Sequence, residues 1–424
     1  MLEGNRPEAF SSTRATPAPE PNIEAPPVPS SVLLVTQFWG RDGGVGAHLK
    51  ASAALLARHN LDVRVLAERV EPGEEMPGVT VYRSPGLFSA RTPANERLGA
   101  ALAFPPAVIH LHQPAPRELV ELMRTAAPVL ISVHSYAACT SGVHHFSPGN
   151  ECTRAHGPGC MLNLTVRGCA HTRHLKHFPA KYKQVTRGLE GLRQADMVLA
   201  YSSAIDRHLA VNGLVRRNVI PLFATMTPKA GSGHAARRRV MFAGRVTGAK
   251  GPAVLIHAAR DVDAEFVICG EGRQLEAVSR LARQLGIQQR VRFTGWLNPE
   301  ELAQELADAS VVVVPSRWPE PFGLVGIEAL AAGRPVIASA TGGILDWLQD
   351  GVNGLSVRPG DASDLARALN ELLGDRDRQQ AMGTAGKKMV AARYSPERHV
   401  AALLESYRAA SSTWQATHRG GAHG

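Results

Sequence analysis

At 424 residues, with 44% apolar and 20% charged side chains, the chain has room for two cores and the composition of a folded protein rather than a disordered one. Its formal charge of +10 favours anionic partners, and no apolar run approaches the length of a membrane span. The few aromatic residues are not interleaved with the cations, which argues against single-stranded nucleic acid as a partner.

Residues 1–30 are rich in Pro, Ser, Thr, Ala and Glu, carry no helix or strand period, and read as a flexible tail. They lack a basic start followed by an apolar run, so they do not read as a signal peptide. Val32–Val35 is a short buried-strand run, followed by Gly40, Gly43, Gly44 and Gly46 and then an amphipathic helix from about Ala47 to Asn60. Val63–Leu66 is the next strand, which makes a βαβ unit and hence a parallel sheet. Val108–Leu111, Val129–Val133, Met197–Ala200 and Asn218–Ile220 continue it, giving a first domain over residues 31–226. Residues 227–239 shift to Gly, Ser, Lys and Arg and read as a linker.

A second series then starts afresh over residues 240–390. Its strands are Val240–Ala243, Phe266–Cys269, Val291–Phe293, Val311–Val314 and Val336–Ala338, with helical periods at Glu300–Ala307 and Ala362–Leu373. Two doubly wound α/β halves in succession predict two facing Rossmann-like domains with a ligand cleft between them. Residues 411–424 read as a second tail.

The segment from Pro315 to Leu330 leaves the Val311–Val314 strand at its carboxyl end, where such folds place ligands. Pro319 and Pro321 hold Glu320 on a stiff loop, and a helix follows from about Gly323 to Ala332 with Glu328 inside it. The free N–H groups at that helix's amino end suit a phosphate, flanked by one carboxylate before the helix and one within it. By residue type alone, Glu320 as a cap and Glu328 as a surface carboxylate is an equal reading. The spacing of Glu320 and Glu328, with Phe322-Gly323 between them, resembles the E-x7-E signature of the family 4 retaining glycosyltransferases, which have the GT-B fold. The resemblance runs on through Gly333-Arg334-Pro335, Thr341-Gly342-Gly343 and Asn353-Gly354, and covers most of residues 240–375.

That resemblance implies a nucleoside-diphosphate sugar as donor, Glu328 at the donor ribose and Glu320 at the donor sugar, with amides of Phe322, Gly323, Leu324 and Val325 touching sugar and phosphates. Gly244-Arg245 and Lys250-Gly251 resemble the family's basic pair, and two such cations can converge on a diphosphate without a divalent metal. Trp296 sits where the family's loop approaches the nucleotide base; a packed tryptophan is the competing reading. Gly270-Glu271-Gly272 lacks the third glycine of a dinucleotide fingerprint and resembles the family's turn instead. In the first half, Gly43 and Gly44 match the family's glycine loop and His134 its donor-contacting histidine, while His110 and His112 read as structural. Leu222-Phe223-Ala224 departs from the family's Asn-Gly-Val-Asp. Residues 391–410 resemble the segment that crosses back onto the first domain.

The implied activity is sugar transfer with retention, with no cofactor required for catalysis, to a glycan, lipid-linked or small-molecule acceptor. A phosphorylase-like enzyme and a catalytically silent nucleotide-sugar-binding subunit are the rival readings. The cations from Arg167 to Arg193 (Arg173, Lys176, Lys181, Lys183 and Arg187 among them) form either a solvated face or a peripheral docking surface for anionic membrane, in a cytoplasmic enzyme. Cys139, Cys152, Cys160 and Cys169 crowd one short stretch. Reduced, unconnected thiols are the simpler reading, because no C-x2-C pair is present, and a structural zinc is the competing one.

Overall fold

The structure is a computed structural model that describes residues 29–40, 43–89, 98–103, 105–141, 152–166, 169, 178–226 and 238–419. Nearly all of the expected amino-terminal tail and of the 227–239 linker, and the basic residues Arg167, Arg173 and Lys176, lie outside these. Among the described residues no helix is long and apolar enough to cross a membrane.

The first domain is a seven-stranded sheet, all parallel. Its strands are β1 (Ser31–Trp39), β2 (Asp62–Val70), β3 (Val79–Arg83), β4 (Val108–Leu111), β5 (Val129–Val133), β6 (Met197–Ala200) and β7 (Arg217–Val219), in the order β3-β2-β1-β4-β5-β6-β7. The second is a six-stranded parallel sheet of β8 (Arg239–Ala243), β9 (Glu265–Cys269), β10 (Val291–Gly295), β11 (Val311–Val314), β12 (Val336–Ser339) and β13 (Gly354–Val357), in the order β10-β9-β8-β11-β12-β13. The central strands are apolar on both faces because helices cover both: Val32 to Val35 and Val311 to Val313 are essentially inaccessible. Strand order reverses between β1 and β4 in one sheet and between β8 and β11 in the other. Each reversal opens a crevice at the carboxyl ends of the strands.

Local structure departs from the sequence reading in three places. Of the glycines expected to form a loop before α1, Gly43, Gly44 and Gly46 lie in its first turn, since α1 spans Gly43–Arg58. β3 and β13 were unforeseen; both are edge strands, where the apolar pattern is weakest. The last helix, α12 (Pro396–Arg419), does not stop at residue 410. Its final turns are held on the first domain by Trp414, whose indole donates to the Arg124 carbonyl at 2.7 Å, and by Thr417, which accepts from the Arg124 guanidinium at 3.2 Å.

The two domains share one apolar core. Trp39, Leu49, Tyr201 and Leu222 from the first domain join Phe322, Ile344 and Trp347 from the second, with Tyr394, Leu403 and Tyr407 from the returning chain. Burying such side chains is worth roughly 1.5–3 kcal/mol each, which is why the domains dock rather than hang on a tether. Polar bonds fix the angle. Asp346 accepts from the Ser203 N–H at 2.7 Å and from the Ser203 hydroxyl at 2.5 Å.

Candidate functional site

At the reversal point of the second sheet, the loop after β8 and the loop after β11 lie side by side, with the Arg317 N–H donating to the Ala249 carbonyl at 2.8 Å. Gly251 permits this approach. Its φ is +70°, and a Cβ there would overlap the Pro315 carbonyl. The result is that Lys250 Nζ meets both oxygens of Glu320, at 2.7 and 2.9 Å. Ser316 Oγ donates to the same carboxylate at 2.5 Å, and Glu320 is only 2% exposed. Burial alone would push this carboxyl up, but the Lys250 charge and the bonds from Lys250 and Ser316 outweigh it and hold it below its ordinary value.

The Glu320 backbone is clamped as well. Gly343 N–H donates to the Glu320 carbonyl at 2.7 Å, and Gly342 (φ +60°) lies so close to Glu320 that a Cβ would overlap its backbone. The Thr341-Gly342-Gly343 motif thus shapes the acidic loop.

Helix α9 (Leu324–Ala331) starts at Gly323 with no acidic residue in its first turn, so its free amides are available to an anion. Trp347 steadies this start: its indole donates to the Phe322 carbonyl at 2.7 Å, and its ring fills the space beside Gly326 that a Cβ would need. Phe322 itself is a core side chain packed on Tyr394, with ring centroids 5.7 Å apart. Glu328, more than a turn into the helix, is buried and accepts from Thr225 Oγ1 at 2.8 Å. Burial raises its carboxyl to about 7, although Thr225's hydrogen bonds pull the other way.

Arg245 is exposed just past β8 and pairs with no carboxylate among the described residues. Trp296 is 50% exposed, so it is not the packed core tryptophan of the competing reading. Gly44 faces the second domain: a Cβ there would stand 3.6 Å from Leu324 Cδ2. The amino ends of α1 and α9 therefore oppose each other across the two domains, with Gly43, Gly44, Leu324 and Val325 in their first turns.

His134 belongs to a group of imidazoles that the sequence does not reveal. Its Nε2 is 3.3 Å from His112 Nδ1, and its ring stacks on Tyr201 at 4.7 Å. His110 bridges Tyr407 Oη (3.0 Å) and Ser132 Oγ (2.7 Å). His399, on α12, donates from Nδ1 to the Pro221 carbonyl at 2.8 Å and packs on His48 of α1, centroids 4.9 Å apart. Burial first, and then the neighbouring imidazoles, lowers His110 and His134 to about 3 and His48 and His112 well below 6.5. Burial brings His399 to about 4 against the pull of its Pro221 bond. All five are therefore neutral at pH 7.

Thr225, Trp347 and Asp346 are the residues that sequence reasoning missed. Thr225 had one signal, its place just after the departure at Leu222-Phe223-Ala224. Among the described residues Cys139, Cys152, Cys160 and Cys169 form no disulfide, and no three His, Cys, Asp or Glu side chains are grouped to hold a metal ion. Cys139 Sγ faces Ser141 Oγ at 3.0 Å, and His156 is engaged by Thr140 and Thr186. Burial pushes the Cys160 thiol up, and the neighbouring Cys139 and Cys152 add to the rise.

Residues 230–389 match the family described as glycosyl transferases group 1. A D-inositol 3-phosphate glycosyltransferase of Nocardia farcinica is 41% identical over 187 residues, 40% of each chain. An uncharacterized glycosyltransferase of Methanocaldococcus jannaschii is 35% identical over 162 residues, 37% of this chain and 41% of its own. The matched region thus spans about two fifths of the length of these curated relatives. Among solved structures, sucrose-phosphate synthase of Thermosynechococcus elongatus superposes with a TM-score of 0.71 at 22% identity, covering 89% of this chain and 98% of that one. Anabaena HepE in complex with UDP gives 0.65 at 18% identity, covering 89% and 100%. The architecture is the GT-B fold, two Rossmann-like domains face to face.

Proposed function

Because residues 230–389 match the glycosyl transferases group 1 family, we propose that the whole chain is a retaining glycosyltransferase that takes a nucleoside-diphosphate sugar as donor. The observation that carries this reading is the Lys250–Glu320 pair beside the uncapped amino end of α9, with Glu328 buried behind it. In this reading the diphosphate lies at the α9 amides with Arg245 and Lys250, the ribose hydroxyls reach Glu328, and Glu320 contacts the sugar. Trp296 offers its exposed ring to the base, and His134 stands at the edge of the sugar site. The UDP named with the HepE structure supports a nucleotide donor of this class.

The chemistry follows from the charges. The bond from the anomeric carbon to the diphosphate breaks, and both electrons leave with the phosphate oxygen. Arg245, Lys250 and the helix-end amides stabilise that developing charge, so a divalent metal is not needed. The acceptor oxygen bonds to the same face of the anomeric carbon, and its proton passes to an oxygen of the departing phosphate. No side chain in this arrangement is assigned as a covalent nucleophile. The acceptor of the inositol-phosphate relatives is not carried over, since the similarity leaves out three fifths of each chain.

A donor screen decides between this and its rivals. The purified protein should hydrolyse one nucleotide sugar slowly without acceptor, and chelation of divalent ions should leave that rate unchanged. Turnover of a sugar 1-phosphate alone would instead indicate phosphorylase chemistry, and binding without turnover a silent subunit.

A further inference from the structure

Trp318 stands two residues before Glu320, and the donor reading gives it no role. It is 9% exposed, yet it is absent from the apolar core that takes in Trp39 and Trp347, and from the separate core of either domain. Its surroundings are polar instead. Lys250 Nζ lies over the indole, 5.9 Å from its centroid, while the same ammonium meets both oxygens of Glu320 at 2.7 and 2.9 Å. A cation over an indole face is attracted by the ring quadrupole, most strongly where water is kept out. The indole N–H is buried without a hydrogen bond of good geometry. Burial works to raise the Glu320 carboxyl, and the Trp318 N–H is among the groups, after Lys250 and Ser316, that lower it. The ring also meets Tyr136 of the first domain edge-on, centroids 6.4 Å apart. Tyr136 is itself fixed: it is 1% exposed and stands edge-on to His208, whose Nε2 accepts from the Ala138 N–H at 3.1 Å.

A tryptophan that only filled space would sit among apolar side chains, and this one sits beside an ion pair. A lysine ammonium is a point charge on a flexible four-carbon stem, so its surroundings decide how well it is placed. We propose that Trp318 is a positioning residue: its indole face keeps the Lys250 ammonium on Glu320 and ties that pair to the first domain through Tyr136. Two of the ammonium's three protons serve Glu320, and restraint by the ring reserves the third for an oxygen of the departing diphosphate. Tyr136 lies two residues beyond His134, so the contact also sets the spacing between the residues assigned to the donor sugar, His134 and Glu320. Trp318→Leu would free the lysine to rotate away, and turnover would fall while the nucleotide still bound.

The proposal rests on the transferase reading, and the test keeps the two apart. Fluorinated tryptophans placed at position 318 alone withdraw electrons from the ring stepwise and hardly alter its shape. In the full-length protein, acceptor-free hydrolysis of whichever nucleotide sugar the donor screen selects is measured across that series, with urea unfolding in parallel. Turnover should fall with each added fluorine. Trp318→Leu should slow it by about tenfold with donor KM within about twofold, and Trp318→Phe, which keeps a ring, should recover most of the loss. The unfolding equilibrium constant should rise in the same order, and that order should vanish in a Lys250→Met background. Turnover and stability that ignore the fluorines would make Trp318 a space-filling residue and overturn the proposal. So would a loss seen only as a higher KM. If the fluorines weaken folding through Lys250 but do not slow turnover, the contact is real and the positioning role fails. If folding responds and the parent protein hydrolyses no nucleotide sugar, the Trp318–Lys250 contact stands and the transferase reading falls.

Discussion

The molecule contains two crevices built on one plan, each at the point where a parallel sheet reverses its strand order, and they are furnished in opposite ways. The crevice of the second sheet is charged: Lys250 and Glu320 pair on the loops before α9, and Glu328 is buried within that helix. That of the first sheet is backed by neutral imidazoles, His48, His110, His112, His134 and His399, around Ser132, Tyr201 and Tyr407. An ion pair is kept by Coulomb attraction and tolerates acid well below neutrality. A packed imidazole group holds only while its members stay uncharged. The same topology therefore gives one wall governed by charge and another governed by proton count.

The sharpest way to break this contrast is with acid. Histidines whose folded pKa lies below the unfolded 6.5 stabilise the native state above that pH, and the contribution is lost as pH falls toward their folded values of about 3 to 4. Each buried member should cost about 1.5 kcal/mol between pH 6.5 and 5, summing to several kcal/mol for the group. Chemical denaturation across that range should show the loss, and His399→Asn together with His48→Asn should flatten it. A profile equally steep in the double variant would remove the histidines from the explanation.

At the charged wall, Glu320→Ala breaks a buried pair and should destabilise by about 3 kcal/mol while suppressing transfer. Thermal unfolding and a radiolabelled-sugar assay measure the two effects separately. Next comes Lys250→Ala, expected to slow turnover by at least about tenfold, roughly 1.4 kcal/mol, with or without added magnesium. Rescue by magnesium would falsify the metal-free assignment.

The smallest effect concerns Thr225, which ties the interdomain segment to Glu328. Thr225→Val should weaken nucleotide diphosphate binding by about 1 kcal/mol at neutral pH, because the carboxyl loses a donor and titrates still higher. The sign is opposite to that of the histidines. The Glu328 carboxyl, folded at about 7 against 4.5 unfolded, stabilises the fold when protonated, and that contribution is lost as pH rises through 7. Nucleotide affinity measured from pH 6 to 8 should therefore rise with pH in the parent and shift its midpoint upward in the variant.

The charged wall was far more legible in the sequence than the imidazole wall, for a physical reason. Glu320, Glu328, Phe322 and Gly323 act within one continuous segment, and the loops carrying Lys250 and Glu320 each follow a strand whose apolar run is plain. The imidazoles come from five separate places, α1, β4, the end of β4, the end of β5 and α12, so no spacing announces them. His110 and His112 read as structural singly, which describes His110 but not the unpartnered Nε2 of His112. Asp346 was invisible, and Thr225 marked only by the departure before it, because each acts across the domain boundary, where sequence distance exceeds a hundred residues. Nearness of the cysteines along the chain offered a metal only as the competing reading, and the described residues group no such ligand set.

The approach of Gly44 to Leu324 has an electrostatic consequence. Both helices present their amino ends there, and each end behaves as roughly half a positive charge. Two like poles facing each other repel, so an anion lodged between them is attracted by both and also offsets the cost of bringing them together. A dinegative diphosphate would act as the mortar of the joint. The stiffness of the joint between the domains would then be set by what is bound rather than by the protein alone, and a neutral ligand of equal size would leave it slack.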